Sequence, residues 1–186
     1  MEDGSASKRK QAEYASREAG AVVIKRSSPR GFAAKLILWL LILSNAALIF
    51  YFSSETAEES SQTSGRVVET VVKLAVNDFD KLPPAQKEQV IARYQIPVRK
   101  MAHVLEFALL GFLLSLTLAQ YPLRLTLRVS LVLLAALMIA VFDESFQRGV
   151  LGRGPAFTDL GFDILGAVLG SVAAMVFKRV RRGVNP

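Results

Sequence analysis

Residues 32–52, FAAKLILWLLILSNAALIFYF, carry a single charge, Lys35, and this stretch decides the class of the protein. As a helix it can cross a hydrocarbon layer of about 30 Å, which takes roughly 20 apolar residues. Residues 101–120, 125–142 and 157–177 are blocks of similar length and composition. Lipid offers no water to the backbone, so each N–H and C=O must be satisfied within its own segment, which predicts helices rather than strands. The expected fold is therefore all-α: a polytopic membrane protein with four transmembrane helices in one domain over 32–177. Of the 186 residues, 52% are hydrophobic, and they are gathered into these blocks instead of being spread as in a soluble core.

Net charge is +7, and the basic residues cluster at the block ends. Lys25, Arg26, Arg30 and Lys35 precede or open the first block, Arg124 and Arg128 separate the second from the third, and Lys178, Arg179, Arg181 and Arg182 follow the fourth. The positive-inside rule assigns all three clusters to the cytoplasm, and four spans with cytoplasmic N- and C-termini in a cell membrane satisfy each of them. The basic residues thus have an orienting role, and no aromatic RNA-binding signature accompanies them, so no nucleic acid is expected as a partner. There is no cysteine, which excludes disulfides and thiolate metal sites. The first block is too long for a signal-peptide core, and Ser44-Asn45-Ala46 matches a cleavage site poorly, so a retained anchor is expected.

Residues 1–31 are polar and mixed in charge, which suggests a disordered basic cytoplasmic tail able to lie against anionic lipid heads. Residues 178–186 form a second basic tail. Between the first two spans, residues 53–97 form the long outer loop, opening with Glu55, Glu58 and Glu59. Val67, Val68, Val71, Val72, Ala75, Val76 and Phe79 recur at helical spacing and predict an outer amphipathic segment, packed on the membrane surface or across the bundle's outer end. Pro83 and Pro84 break the chain, and Pro84 opens a short helix through Tyr94.

The ionisable groups of the apolar blocks are few and grouped. A charge at the bilayer centre costs about 2.5–3.5 kcal/mol on the lenient scale, so such groups pair and often mark a site. Arg99, His103 and Glu106, at i, i+4 and i+7, share one helix face with Lys100 beside them. Two cations are unexpected at a helix start, where the dipole favours anions. The third block ends in Asp143-Glu144-Ser145-Phe146-Gln147-Arg148, which forms i,i+4 pairs if the helix continues. Gly149, Gly152 and Gly154-Pro155 then make a tight loop carrying Arg153, expected near Glu144 or Asp159. Thr158 is the expected N-cap of the fourth helix, with Asp159 in its first turn. Asp163 has no capping role and should face the bundle on the same face as Gly166 and Gly170, whose G-x-x-x-G spacing permits close helix approach. All these polar groups fall on the outer side of the proposed topology.

The pattern resembles the VanZ-like family of integral membrane proteins, named after a member linked to resistance against the lipoglycopeptide teicoplanin. The resemblance rests on R-K-x-x-H-x-x-E at Arg99, Lys100, His103 and Glu106, and on D-E-x-x-Q at Asp143, Glu144 and Gln147. Gly152-Arg153 and Asp159, Asp163, Gly166 and Gly170 complete it, and the Phe52-Ser53-Ser54 exit from the first span also looks familial. It covers residues 32–177. Leu151 stands where a proline commonly precedes the Gly-Arg pair, and Glu55 where the family often has Gln. The resemblance implies the same membrane architecture and a cell-envelope role; it does not imply teicoplanin resistance.

Three readings of the cluster stay open. In the first, Arg99, Lys100 and Arg153 bind the phosphate or carboxylate of an anionic membrane lipid, a lipid-linked glycan or a lipoglycopeptide head group. The carboxylates of Glu106, Asp143, Glu144, Asp159 and Asp163 orient the basic side chains, and His103 and Gln147 complete the ligand-binding set. Alternatively, His103 with Glu106 or Glu144 can perform acid–base chemistry as a membrane enzyme. The third reading is a purely structural lock. No cofactor is expected; a divalent cation on these groups with Asp159 and Asp163 is the open exception. No nucleophile motif is present, which favours binding over catalysis.

Overall fold

The structure, a computed structural model, describes residues 29–150 and 157–184. The chain divides into a short unit, Met1–Ala33, of which only the start of the first helix is described, and Ala34–Pro186, which carries everything below. The elements are α1 (Pro29–Ser54), α2 (Ala57–Ala75), a 3-10 turn (Phe79–Lys81), α3 (Pro84–Leu118), α4 (Leu125–Gln147) and α5 (Phe157–Val184). Among the described residues there is no strand. Helices α1, α3, α4 and α5 are each long and apolar enough to cross a membrane. The protein is an all-helical, multi-pass membrane protein. The expected tail at 1–31 falls almost wholly outside the described residues, and α5 runs on through the basic cluster, where the negative end of its dipole favours cations.

The spanning helices are apolar around their circumference, yet each buries less than half of its span, and α1 and α4 bury only a narrow stripe. On α1 the buried positions are Ile42, Asn45, Ile49 and Ser53, spaced three or four apart, while Leu36, Ile37, Leu40 and Leu43 face outward. Lipid covers such outward side chains at no cost, so helix association relies on close packing and interhelical hydrogen bonds. The closest packing is between α3 and α5. A methyl group added at Gly166 would strike the Val104 carbonyl, one at Gly170 the Ala108 carbonyl, and one at Gly111 the Ala167 carbonyl. Gly111, on the partner helix, extends the seam beyond the two glycines that the spacing singles out. Helix α1 joins differently, through the long side chains of Ile42 and Ile49 in a core with Phe107, Leu110 and Val132.

Helix α2 starts with a capping box: the Thr56 hydroxyl accepts from the Glu59 N–H at 3.2 Å, and the Glu59 carboxylate accepts from the Thr56 N–H at 2.8 Å. The Thr56 backbone bond first, then its hydroxyl, hold the Glu59 carboxyl below its usual range. The α2 stripe packs on protein: Val68, Val72 and Phe79 are buried against Val90, Ile91, Tyr94 and Val98 of α3. Val67 lies exposed at its edge.

Helix α3 differs from the expected short helix followed by a separate span. It is one helix of 35 residues through Pro97, roughly 50 Å long, so its first half extends past the apolar layer. Proline inside a helix removes one hydrogen bond. Pro97 and Arg93, whose carbonyl loses that partner, are both on the exposed side of the helix, where water can replace the missing N–H. The packing of α2 along the first half supplies the tertiary support.

Gly170→Leu should lower the thermal stability of the purified protein by about 3 kcal/mol or more, because an added side chain meets backbone and not a movable group. Gly161, where an added Cβ would stand in open space, is the control: Gly161→Ala should cause no loss. Thermal unfolding in detergent reads both, and equal stability of the two variants would refute the glycine seam.

Candidate functional site

Helix α3 runs continuously from Pro84, so Arg99 and Lys100 sit mid-helix and not at a helix start. The dipole argument against two cations there therefore disappears. Lys100 turns towards α5: its Nζ is 3.2 Å from Asp159 Oδ1 and 5.0 Å from the centre of the Phe162 ring. One turn on, His103 is buried, with Nδ1 3.7 Å from Asp163 Oδ1 and 3.9 Å from Glu106 Oε2. The α3–α5 glycine seam brings Asp163 this close, since Gly166 follows it by one turn of the same helix.

Helix α4 continues past Phe142 and buries Asp143, Glu144 and Gln147. Gln147 Nε2 donates to Asp143 Oδ2 at 2.6 Å, the i,i+4 pair, and to Ser53 Oγ at 3.0 Å across to α1. Asp163 is 3% exposed, and the carboxyls of Asp143, Asp159, Glu106 and Glu144 all lie close enough to interact with it. The sequence does not single out Ser53 as a site residue, although it is fully buried and ties α1 to the cluster. Its only sequence signal is a serine at the end of an apolar run, within the Phe52-Ser53-Ser54 exit.

The polar residues therefore form two groups that meet at His103. Ser53, Asp143, Glu144, Gln147 and Asp163 are interior and join α1, α4 and α5. Arg99, His103 and Glu106 instead line a half-open cavity of about 280 Å³ between the end of α1, α2 and α3. Phe52, Val67, Val98 and Ala102 supply its apolar wall, and Glu55, Ser60, Thr63 and Ser64 its polar one. Of the expected glycine loop, Gly149 is described, in the turn after α4 with its N–H donating to the Phe146 carbonyl at 3.1 Å. Gly152, Arg153 and Gly154-Pro155 lie outside the described residues, and so does the expected Arg153 pairing. Thr158 lies inside α5, which already includes Phe157, so it is in the first turn and not at the cap. Among the described residues, no three His, Asp or Glu side chains meet as a metal-ligating set.

Residues 36–178 match a family model described as VanZ/LLP1. No curated protein and no solved structure matches the chain.

Gln147→Leu removes two buried hydrogen bonds and should destabilise the protein by about 1–3 kcal/mol, with Ser53→Ala costing about 1 kcal/mol. Arg99→Gln, on the cavity wall, should stay within about 0.5 kcal/mol of the parent. Thermal unfolding in one detergent ranks the three; an Arg99 variant as damaged as the Gln147 variant would erase the division into interior and cavity groups.

Proposed function

Because the chain belongs to the VanZ/LLP1 family and is a multi-pass membrane protein, we propose that it binds the anionic head group of a membrane lipid, lipid-linked glycan or lipoglycopeptide at the outer face of the cell membrane. The observation that carries this reading is the cavity beside Arg99. A guanidinium offers forked donors to a phosphate or carboxylate. The hydroxyls of Ser60, Thr63 and Ser64 on the same wall suit sugar hydroxyls, and Phe52, Val67 and Val98 suit the start of a hydrocarbon chain. His103 closes the cavity next to Glu106, where it can donate to the head group and read its charge. The outward orientation follows from the basic residues at the opposite end of the bundle.

A second reading, a membrane enzyme, has one observation in its favour: the His103 imidazole lies beside both Glu106 and Asp163. A histidine oriented by carboxylates is equipped for acid–base work on a lipid-linked substrate. The two readings separate on one variant. His103→Ala should keep the lipid but lose turnover if the protein is an enzyme, and should weaken lipid retention if it is a binder.

Purified protein offered phosphatidylglycerol, a polyprenyl phosphate and phosphatidylcholine should retain an anionic lipid in native mass spectrometry. Arg99→Gln should weaken that retention about tenfold, the equivalent of one charge-assisted hydrogen bond. Equal retention of phosphatidylcholine, or no effect of Arg99→Gln, would defeat the proposal. For orientation, the chain is free of cysteine, so single cysteines report cleanly. An impermeant thiol reagent added to intact cells should label Asp80→Cys and spare Arg124→Cys; the reverse pattern would place the cavity on the other face.

A further inference from the structure

The end of the bundle opposite the His103 cluster holds a larger cavity, about 390 Å³, between the end of α3, the start of α4 and the last turns of α5. Three cations line it: Arg128 from α4, and Lys178 and Arg179 from α5. No carboxylate lies nearby in sequence, since residues 29–54, 107–142 and 164–184 contain neither Asp nor Glu. Arg128 Nε is buried and, among the described residues, meets no hydrogen-bond acceptor. Lys178 Nζ reaches across to the Ala119 carbonyl at 3.5 Å, which holds the ammonium at the cavity wall. Behind the cations the wall is apolar, with Val132 and Ala174 on facing helices.

Basic residues at span ends have an orienting role that needs only their number, not their convergence. These three do more than that: they converge from two helices on one concavity. A buried guanidinium nitrogen with no acceptor is costly unless an anion completes it. The cavity lies at the basic ends of the spanning helices, the part of a span that adjoins phospholipid phosphates, and its rear wall suits acyl carbons. We infer that Arg128, Lys178 and Arg179 form a binding site for the phosphate of an anionic phospholipid in the leaflet at this end, with the start of an acyl chain against Val132 and Ala174. Arg128 is the central ligand, because its planar fork can hold two phosphate oxygens while the two α5 cations neutralise the remaining charge. The site is separate from the cavity beside Arg99 and does not depend on that cavity having a ligand.

The test uses the full chain carrying Arg99→Gln, which lowers the contribution of the cavity at the other end and is common to every variant compared. Native mass spectrometry compares phosphatidylglycerol with phosphatidylcholine of identical acyl chains. Phosphatidylglycerol should be preferred, and Arg128→Gln should weaken it about tenfold. Arg124→Gln removes the same charge at the same end but outside the cavity, and should leave the affinity within about twofold. If Arg128→Gln does not yield folded protein, Lys178→Gln combined with Arg179→Gln is read in its place, with the same expected loss. Equal binding of the two lipids overturns the site, as does an Arg124→Gln loss as large as that of Arg128→Gln. Thermal protection by millimolar inorganic phosphate equal to that by phosphatidylglycerol overturns the lipid assignment.

Discussion

Gly166 and Gly170 of α5 lie where a single methyl group would collide with the carbonyls of Val104 and Ala108, and Gly111 of α3 meets Ala167 in the same way. In lipid, apolar side chains gain nothing by leaving one hydrocarbon environment for another, so a helix pair must be held by close van der Waals contact. This seam is the closest such contact in the bundle. It also sets the chemistry, because Asp163 precedes Gly166 on the same face and is carried against His103. With bulkier residues at 166 and 170, α5 would stand off from α3 and the imidazole would lose its second carboxylate neighbour.

The polar residues beside the seam have two different physical roles. Buried polar groups are expensive unless hydrogen-bonded, and Gln147 supplies one hydrogen bond to Ser53 Oγ and one to Asp143 Oδ2, joining two helices that share little close backbone contact. Such a network specifies which helix faces meet. Arg99, His103 and Glu106 instead face a cavity whose walls combine cation, hydroxyl and hydrocarbon, the composition of an amphipathic ligand's complement. His103 belongs to both groups. Its Nδ1 lies 3.9 Å from Glu106 on the cavity side and 3.7 Å from Asp163 in the interior.

The bundle is also strongly polarised along its axis. The described carboxylates all belong to the half that contains the 53–97 region, and the described residues of the other half have only cations among their ionisable groups, apart from tyrosine. At that basic end Lys35 sits over the Tyr121 ring at 4.8 Å, and Trp39 Nε1 donates to the Tyr121 hydroxyl at 3.3 Å. Aromatic rings and cations together suit an interfacial layer, where the ring bodies remain in hydrocarbon and the charges reach the phosphates.

The four spanning helices were determined by the sequence alone, because length and hydropathy are sums over a segment and need no partner. The grouping of Arg99, His103 and Glu106 on one face, and of Asp163 with Gly166 and Gly170 on another, was equally legible, since helical phase is a local property. The tertiary structure decided the rest. A span that is apolar on every side gives no sign of which stripe it buries, so Ser53 could not be distinguished from its neighbours until α4 brought Gln147 to it. Pro97 reads as a break until α2 is seen packed along the helix that contains it. The cavity beside Arg99 exists only because that packing places Ser60, Thr63 and Ser64 opposite α3, a juxtaposition across more than thirty residues of chain that no local pattern encodes.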